Sequence, residues 1–136
     1  MYSRKGALAY AKVGVETGTM SASPHQLIVM LFDGAHVALQ KAKWAIEQND
    51  IPAKGRAISH AINIIEQGLR AGLDLQRGGE IAQQLDGLYD YMVRTLLRAN
   101  IHSDEALVVQ VETLLGEIAS AWKAIGPAAN ITEQQG

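Results

Sequence analysis

The chain contains no cysteine, no long hydrophobic run and no cluster of basic residues, and each absence excludes a class of protein. Without cysteine, disulfide bonds and thiolate metal sites are excluded. The longest strictly apolar run, Leu27 to Phe32, is far shorter than the roughly 20 residues of a membrane-spanning helix. The formal net charge is -2, which argues against a phosphate-binding surface because such surfaces need clustered cations. The N-terminus lacks the apolar core of a secretory signal, so we expect a cytosolic protein.

Helical periodicity is the main positive signal. The 136 residues are 48% hydrophobic and 19% charged, which is enough apolar material for one folded domain. No segment alternates apolar and polar residues with the period of two that is typical of strands. We therefore predict an all-α protein, an antiparallel four-helix bundle over residues 21–126. We expect a mobile arm with a short helix at residues 1–20 and a disordered tail at residues 127–136.

The start of the first helix carries three local signals. Ser23 is a good N-cap, Pro24 suits the first helical position, and Gln26 completes a capping box. The apolar residues that follow recur at intervals of three and four, and Asn49 and Asp50 end the pattern. Small alanines on this face indicate a close approach to a neighbouring helix. The predicted core face consists of Leu27, Ile28, Leu31, Ala35, Ala38, Ala42, Ala45 and Ile46.

The second helix is predicted from about Pro52 to Leu75. Gly68 and Gly72 flank its core face, four residues apart. Glycine costs roughly 1 kcal/mol relative to alanine inside a helix, so this pair indicates close packing against a neighbour. The predicted core face consists of Ile58, Ala61, Ile62, Ile65, Leu69 and Leu73.

The third and fourth helices complete the bundle. The third is predicted from about Glu80 to Asn100, with Ile101 and His102 in the following loop. Ser103 or Asp104 caps the fourth helix, and Gly126-Pro127 stops it. The predicted core faces are Leu85, Leu88, Tyr89, Met92 and Leu96 in the third helix and Leu107, Val108, Val111, Leu114, Leu115, Ile118, Trp122 and Ile125 in the fourth.

Three helices carry more apolar surface than one packed seam requires. A second stripe lies about a third of a turn from each core face. Such stripes are either ordinary core, because each helix of a bundle contacts two neighbours, or the walls of a groove that accepts another helix. Tyr10 and Val13 of the arm are placed to cover such a groove when it is empty. The stripes are Met30, Val37 and Trp44 in the first helix, Ala57, Ile64 and Ala71 in the second, and Val93 and Leu97 in the third.

No constellation of catalytic or metal-binding residues is present, so we expect neither an enzyme nor a cofactor. Asp33 and His36 resemble half of a di-iron carboxylate motif, but they point away from the core face and no second motif exists. The four histidines never occur at metal-ligand spacing. Asp86 and Asp90 lie on the polar side of the third helix, which favours a solvated face over acid–base catalysis.

Five ordered motifs resemble the FliS family of flagellin-specific export chaperones. The resemblance covers about residues 1–125 and includes the spacing of all four helices. The motifs are GALAYAKVGVET from Gly6, MSASPHQLIVMLFDGA from Met20, HAINIIEQGLRAGLD from His60, LYDYMVRTLLRAN from Leu88 and VETLLGEIASAWK from Val111.

The resemblance implies a cytoplasmic chaperone that is not an ATPase. Proteins of this family bind the disordered C-terminal segment of flagellin, prevent premature polymerisation and present the subunit to the export gate component FlhA. The anti-sigma factor FlgM is a further possible partner that the resemblance suggests. An N-terminal segment can occupy part of the binding surface, which in this chain corresponds to Leu8, Tyr10 and Val13. The motif of the third helix carries over as Leu88, Tyr89, Tyr91 and Met92.

Periodicity divides this motif. Tyr89 lies on the core face and is expected to hold the bundle, whereas Tyr91 lies off that face and is the better candidate for partner contact. Two other classes of protein remain open on the residues alone. One is a histidine phosphotransfer bundle, although neither His36 nor His60 has the flanking residues of that class. The other is a structural bundle that buries its surplus stripes in a homodimer.

Overall fold

The chain folds into a bundle of helices, and the computed structural model describes residues 22–126. The predicted arm and tail lie outside the described residues. Within them, four α-helices and one π-helical segment are present, and no strand. We number the elements α1 Pro24–Glu47, α2 Ile51–Asn63, the π segment Ile64–Arg70 that continues α2, α3 Gly79–His102 and α4 Glu105–Ile125.

The predicted capping box at the start of α1 is confirmed. Ser23 Oγ accepts a hydrogen bond from the Gln26 backbone N–H at 3.1 Å, and Gln26 Oε1 accepts one from the Ser23 N–H at 3.0 Å. Asp50 caps α2 through the Ala53 N–H. Of the two predicted caps of α4, Asp104 performs the role by accepting from the N–H of residue 106. Each cap satisfies a backbone donor that the first turn leaves without a partner.

The second helix differs from the prediction in its last third. The α-helix ends at Asn63, and a π segment continues it only to Arg70. The predicted helix end at about Leu75 is therefore wrong, because residues 71–75 are not helical. The N–H of Ala71 donates to the carbonyl of Glu66 at 3.0 Å, which is the five-residue step of a π-helix. The physical reason is a four-residue repeat of buried residues, because in an α-helix such a repeat drifts about 40° per step away from the core. The wider π turn compensates this drift and keeps the repeat facing the core. The buried residues of the repeat are Ala61, Ile65, Leu69 and Leu73, and those of the adjacent row are Ile64, Gly68 and Gly72.

Polar contacts at both ends of the bundle show that neighbouring helices run antiparallel. At the beginning of α1, His25 Nε2 donates to the Trp122 carbonyl near the end of α4 at 3.0 Å, and Trp122 Nε1 donates to the His25 carbonyl at 3.2 Å. The buried Lys54 near the start of α2 donates to the Asn100 carbonyl near the end of α3 at 2.8 Å. Arg70, at the end of the π segment, pairs with Asp86 in the first half of α3 at 2.8 Å.

The core is a continuous cluster of apolar side chains from all four helices. The alanines of the α1 core face are buried. Gly34 of α1 lies so close to Ile64 that a Cβ atom added to the glycine would be 3.5 Å from the Ile64 Cδ1 atom. Close packing of α1 on α2 is therefore confirmed. Tyr89 is completely buried in the core, as its periodicity predicts.

Helix ends account for most of the smaller differences. Ile101 and His102 are not in a loop but form the last turn of α3, which ends at Ser103 with a left-handed φ of 50°. Two residues of the predicted core faces, Leu88 and Ile125, are exposed. Gly126 has a φ of 66°, so a left-handed residue ends α4 at the predicted stop.

Candidate functional site

A groove of about 620 Å³ lies between α1 and α2, and we call it the first groove. Trp44 is the largest apolar residue that lines the groove, and it is 64% exposed. Ala45, Ala53 and Ala57 line the seam between the two helices with small side chains. Small residues at this seam leave the valley between the helices unfilled, which is why a large aromatic side chain can stand exposed beside it. The remaining lining residues are Gln40, Lys41, Gln48, Asp50, Arg56 and His60.

A second groove of about 580 Å³ lies on the other side of α2, toward α3. Leu97 is 49% exposed and forms its α3 wall, while Ile62 is half-buried on the opposite wall. The remaining lining residues are Ser59, His60, Asn63, Glu66 and Gln67. His60 lines both grooves, so the two depressions adjoin each other across the ridge of α2.

The π segment forms part of the second groove, and Arg70 fixes it to α3. Its guanidinium pairs with Glu66 at 3.1 Å, Asp86 at 2.8 Å and Asp90 at 3.1 Å. The hydrogen bond to Asp86 is the main cause that raises the pKa of Arg70 above its ordinary value, with the charges of the acidic neighbours adding to it. Asp86 and Asp90, which the sequence places on a solvated face, therefore act as the anchor of this wall.

The predicted second stripe of α1 is exposed along its length. Met30 and Val37 continue the row of Trp44 toward the N-terminal end of α1, at intervals of seven residues. A row of this spacing stays on one side of a helix. The apolar surface beside the first groove is therefore longer than the groove itself.

The predicted stripe of α2 divides into three environments. Ala57 is half-buried and lines the first groove. Ile64 is only 3% exposed and belongs to the core, so its side chain is not accessible to a partner in this state. Ala71 is exposed, one residue beyond the π segment.

The candidate residues of α3 lie on opposite sides of that helix. Leu97 lines the second groove on the side that faces α2, and the half-buried Val93, four residues before it, lies on the same side of the helix. Tyr91 is on the side that faces α4, where its hydroxyl accepts a hydrogen bond from Gln110 Nε2 at 2.6 Å. Leu88 is exposed and, three residues from Tyr91, lies on the same side. One short helix seated in the second groove contacts the first pair and not the second.

Asp33 and His36 line a smaller groove of about 220 Å³ between α1 and α4. Asp33 pairs with Lys123 at 3.2 Å, and His36 lies within hydrogen-bond distance of Gln40. No group of three or more histidine, aspartate or glutamate residues within residues 22–126 is arranged to hold a metal ion.

Sequence reasoning missed the polar residues of the first groove. Lys41 and Arg56 line its two walls, and His60 lies at the junction with the second groove. Apolar stripes alone do not reveal them, because charged residues beside a stripe are usually solvated surface. The available signal was the spacing itself, because Lys41 precedes Trp44 by three residues and Arg56 precedes His60 by four, which places each pair on one helix face.

Leu8, Tyr10 and Val13 lie outside the described residues. Among residues 22–126, no helix is both long enough and apolar enough to cross a membrane.

Comparison with known proteins identifies the family. The family model described as flagellar protein FliS matches residues 6–129. The flagellar secretion chaperone FliS of Salmonella typhimurium is 56% identical over 135 residues, which cover 99% of this chain and 100% of that protein. The Escherichia coli chaperone of the same name is 50% identical over 90% of both chains, and that of Bacillus subtilis is 33% identical over 85% of this chain and 81% of its own. These relatives are named as chaperones and not as enzymes. The chain therefore belongs to the FliS family of flagellar secretion chaperones.

Proposed function

We propose that the chain binds the disordered C-terminal segment of flagellin, prevents its premature polymerisation and delivers it to the export gate. The observation that carries the proposal is the pair of adjoining grooves across α2, with Trp44 and Leu97 exposed on their outer walls. The names of the relatives support it, since each is a flagellar secretion chaperone. A histidine phosphotransfer role has no such support.

The proposed mechanism is physical and involves no chemical step. An amphipathic helix of the client places its apolar face in a groove, in the manner of other helix-in-groove complexes. The apolar positions that would drive filament assembly are then covered in the cytosol. Ordering a disordered segment costs about 2–5 kcal/mol of the gross interaction energy, so the complex stays releasable at the export gate.

The two sides of α3 set the path of the client. A segment that occupies both grooves contacts Ala57 and Leu97, with Val93 beside them. It reaches Leu88 and Tyr91 only by continuing around α3, because those residues face α4. Accordingly, we propose that the grooves are the primary contact and that Leu88 and Tyr91 belong to a wrapped continuation of the client.

Further partners complete the proposal. The arm residues Leu8, Tyr10 and Val13 compete with flagellin for the apolar surface, and flagellin displaces them. The loaded chaperone then contacts FlhA, and FlgM is a second client. These partners come from the family resemblance.

Calorimetric titration of the full chain with a flagellin C-terminal segment tests the proposal. Leu97→Asp places a charge on the wall of the second groove, and we expect affinity to fall at least about tenfold, as for other central interface residues. Val109→Asp is the matched control, because Val109 is 41% exposed but lines none of the three grooves. Both variants should keep wild-type helicity by circular dichroism. Absence of binding by the wild-type chain, or equal loss in the two variants, would reject the grooves as the binding site.

Covering of the grooves by a second copy of the chain is the competing outcome. Sedimentation velocity of the free chain at several concentrations separates the two. A monomer that takes up one client segment supports the proposal, whereas a dimer that Leu97→Asp dissociates would replace it.

A further inference from the structure

The cations of the bundle divide into two groups. Five have a carboxylate or carbonyl partner within residues 22–126, and four have none; two of those four line the first groove. Lys41 and Arg56 make no ion pair or side-chain hydrogen bond with any described residue, although both are exposed beside the apolar Trp44. The cations with partners are Lys43, Lys54, Arg70, Arg94 and Lys123.

The free cations stand on facing walls. Lys41 belongs to α1 and Arg56 to α2, so each wall of the groove carries one positive charge beside the apolar Trp44 and Ala57. The single acidic residue on the lining, Asp50, is committed as the cap of α2, where its Oδ1 accepts from the Ala53 N–H at 3.1 Å. The first groove therefore combines apolar lining residues with one unpaired cation on each wall.

The second groove has no unpaired cation on its lining. Its lining holds Glu66 and no lysine or arginine, and its other polar residues are neutral or histidine. A partner that crosses α2 from one groove to the other thus passes from a cationic to a nearly neutral environment, because Glu66 is paired with Arg70. Such an arrangement distinguishes the two ends of a bound segment.

We propose that the first groove selects an acidic amphipathic helical stretch of its client. Apolar side chains of that stretch lie against Trp44 and Ala57, and its carboxylates face Lys41 and Arg56. The proposal rests on the proposed function and adds the charge of the client and its direction across α2. Charges at the edge of an interface act mainly on association rate, register and salt dependence.

Charge reversal with a matched control tests the selection. The probe is the flagellin C-terminal segment, titrated into the full chain at low salt and again at about 0.5 M salt, where exposed charges are strongly screened. The test variant is Lys41→Glu with Arg56→Glu. The control is Arg77→Glu with Arg98→Glu, which makes the same change in net charge at two unpaired cations that line neither groove. Trp44 fluorescence reports occupancy of the groove in every variant, since the other tryptophan, Trp122, is buried.

We expect the test variant to bind about tenfold more weakly at low salt, and the difference to shrink at high salt. The control should stay within about twofold of wild type. Replacing acidic residues of the client segment by lysine should restore binding to the test variant. The inference would be overturned if the test variant bound as tightly as wild type, or if both double variants weakened binding equally. In either case the proposed function would stand, because the wild-type chain still binds the segment. If the wild-type chain does not bind the segment, the proposed function and this inference fail together.

Discussion

Replacing Lys54 by methionine should destabilise the bundle without changing its grooves. Lys54 is only 5% exposed, and its ammonium donates to the Asn100 carbonyl at 2.8 Å and to Ser103 Oγ at 2.7 Å. These bonds attach the start of α2 to the C-terminal end of α3, where carbonyl groups lack helical partners and favour a cation. Methionine keeps the apolar stem and removes the charge and its donors.

The expected loss follows from these contacts. Hydrogen bonds that involve a charged group contribute about 1.5–3 kcal/mol each, and the cost of burying the ammonium offsets a large part of that sum. We expect a net decrease of about 2 kcal/mol in the free energy of unfolding. For a chain of this length, that decrease lowers Tm by about 6–10 °C.

Urea and thermal unfolding followed by far-ultraviolet circular dichroism measure this loss. Lys41→Met is the control, since Lys41 is exposed and makes no described contact, and its effect should stay within about 0.5 kcal/mol. A Lys54→Met variant that unfolds at the wild-type midpoint would refute the assignment of Lys54 as the link between α2 and α3.

Two further substitutions test the polar contacts. Arg70→Met should lower the free energy of unfolding by about 1–2 kcal/mol, because it leaves three carboxylates facing one another. This loss should be smaller at high salt, which screens the repulsion between the carboxylates. Arg94→Met removes one exposed ion pair and should cause a smaller loss in the same urea titrations. Glu105→Gln should raise Tm at neutral pH, because a hydrogen bond with Glu47 and its charge raise the pKa of Glu105 above the ordinary 4.5. A raised pKa in the folded state gives stability that is present below 4.5 and lost as pH rises, so the advantage of the glutamine should disappear in acid. An unchanged Tm difference from acidic to neutral pH would contradict this coupling.

Local signals in the sequence were sufficient for the helix starts and most of the core. Ser23 and Asp104 act through neighbours two or three residues away, so their roles are readable from short patterns. The buried row of α1 follows from its spacing for the same reason. Asp50, which the pattern gave only as the end of the first helix, also caps α2. The π segment does not follow from a single helical period, although the four-residue repeat through Ile65 and Leu69 is visible in the sequence.

The candidate site was predictable only in part. Periodicity shows which side of a helix a residue lies on, but it does not show which neighbouring helix faces that side. It placed Trp44 and Leu97 on stripes beside the core faces without deciding between core and groove, and it did not show that Leu97 faces α2 while Tyr91 faces α4. Ile64 appeared equivalent to Ala57 on the same stripe, and packing against α1 buries it. The contacts of Lys54 and Arg70 join residues far apart in the chain, so no local pattern reveals them.

The central claim is that the C-terminal segment of flagellin lies across α2 in the two grooves. Nuclear magnetic resonance of the full chain, recorded with and without the segment, tests it most directly. The account requires the largest shifts at the Trp44 indole N–H, at His60 between the grooves and at the Leu97 methyl groups. Shifts confined to the α3–α4 side, at Leu88 and Tyr91, or no shifts at all, would contradict it.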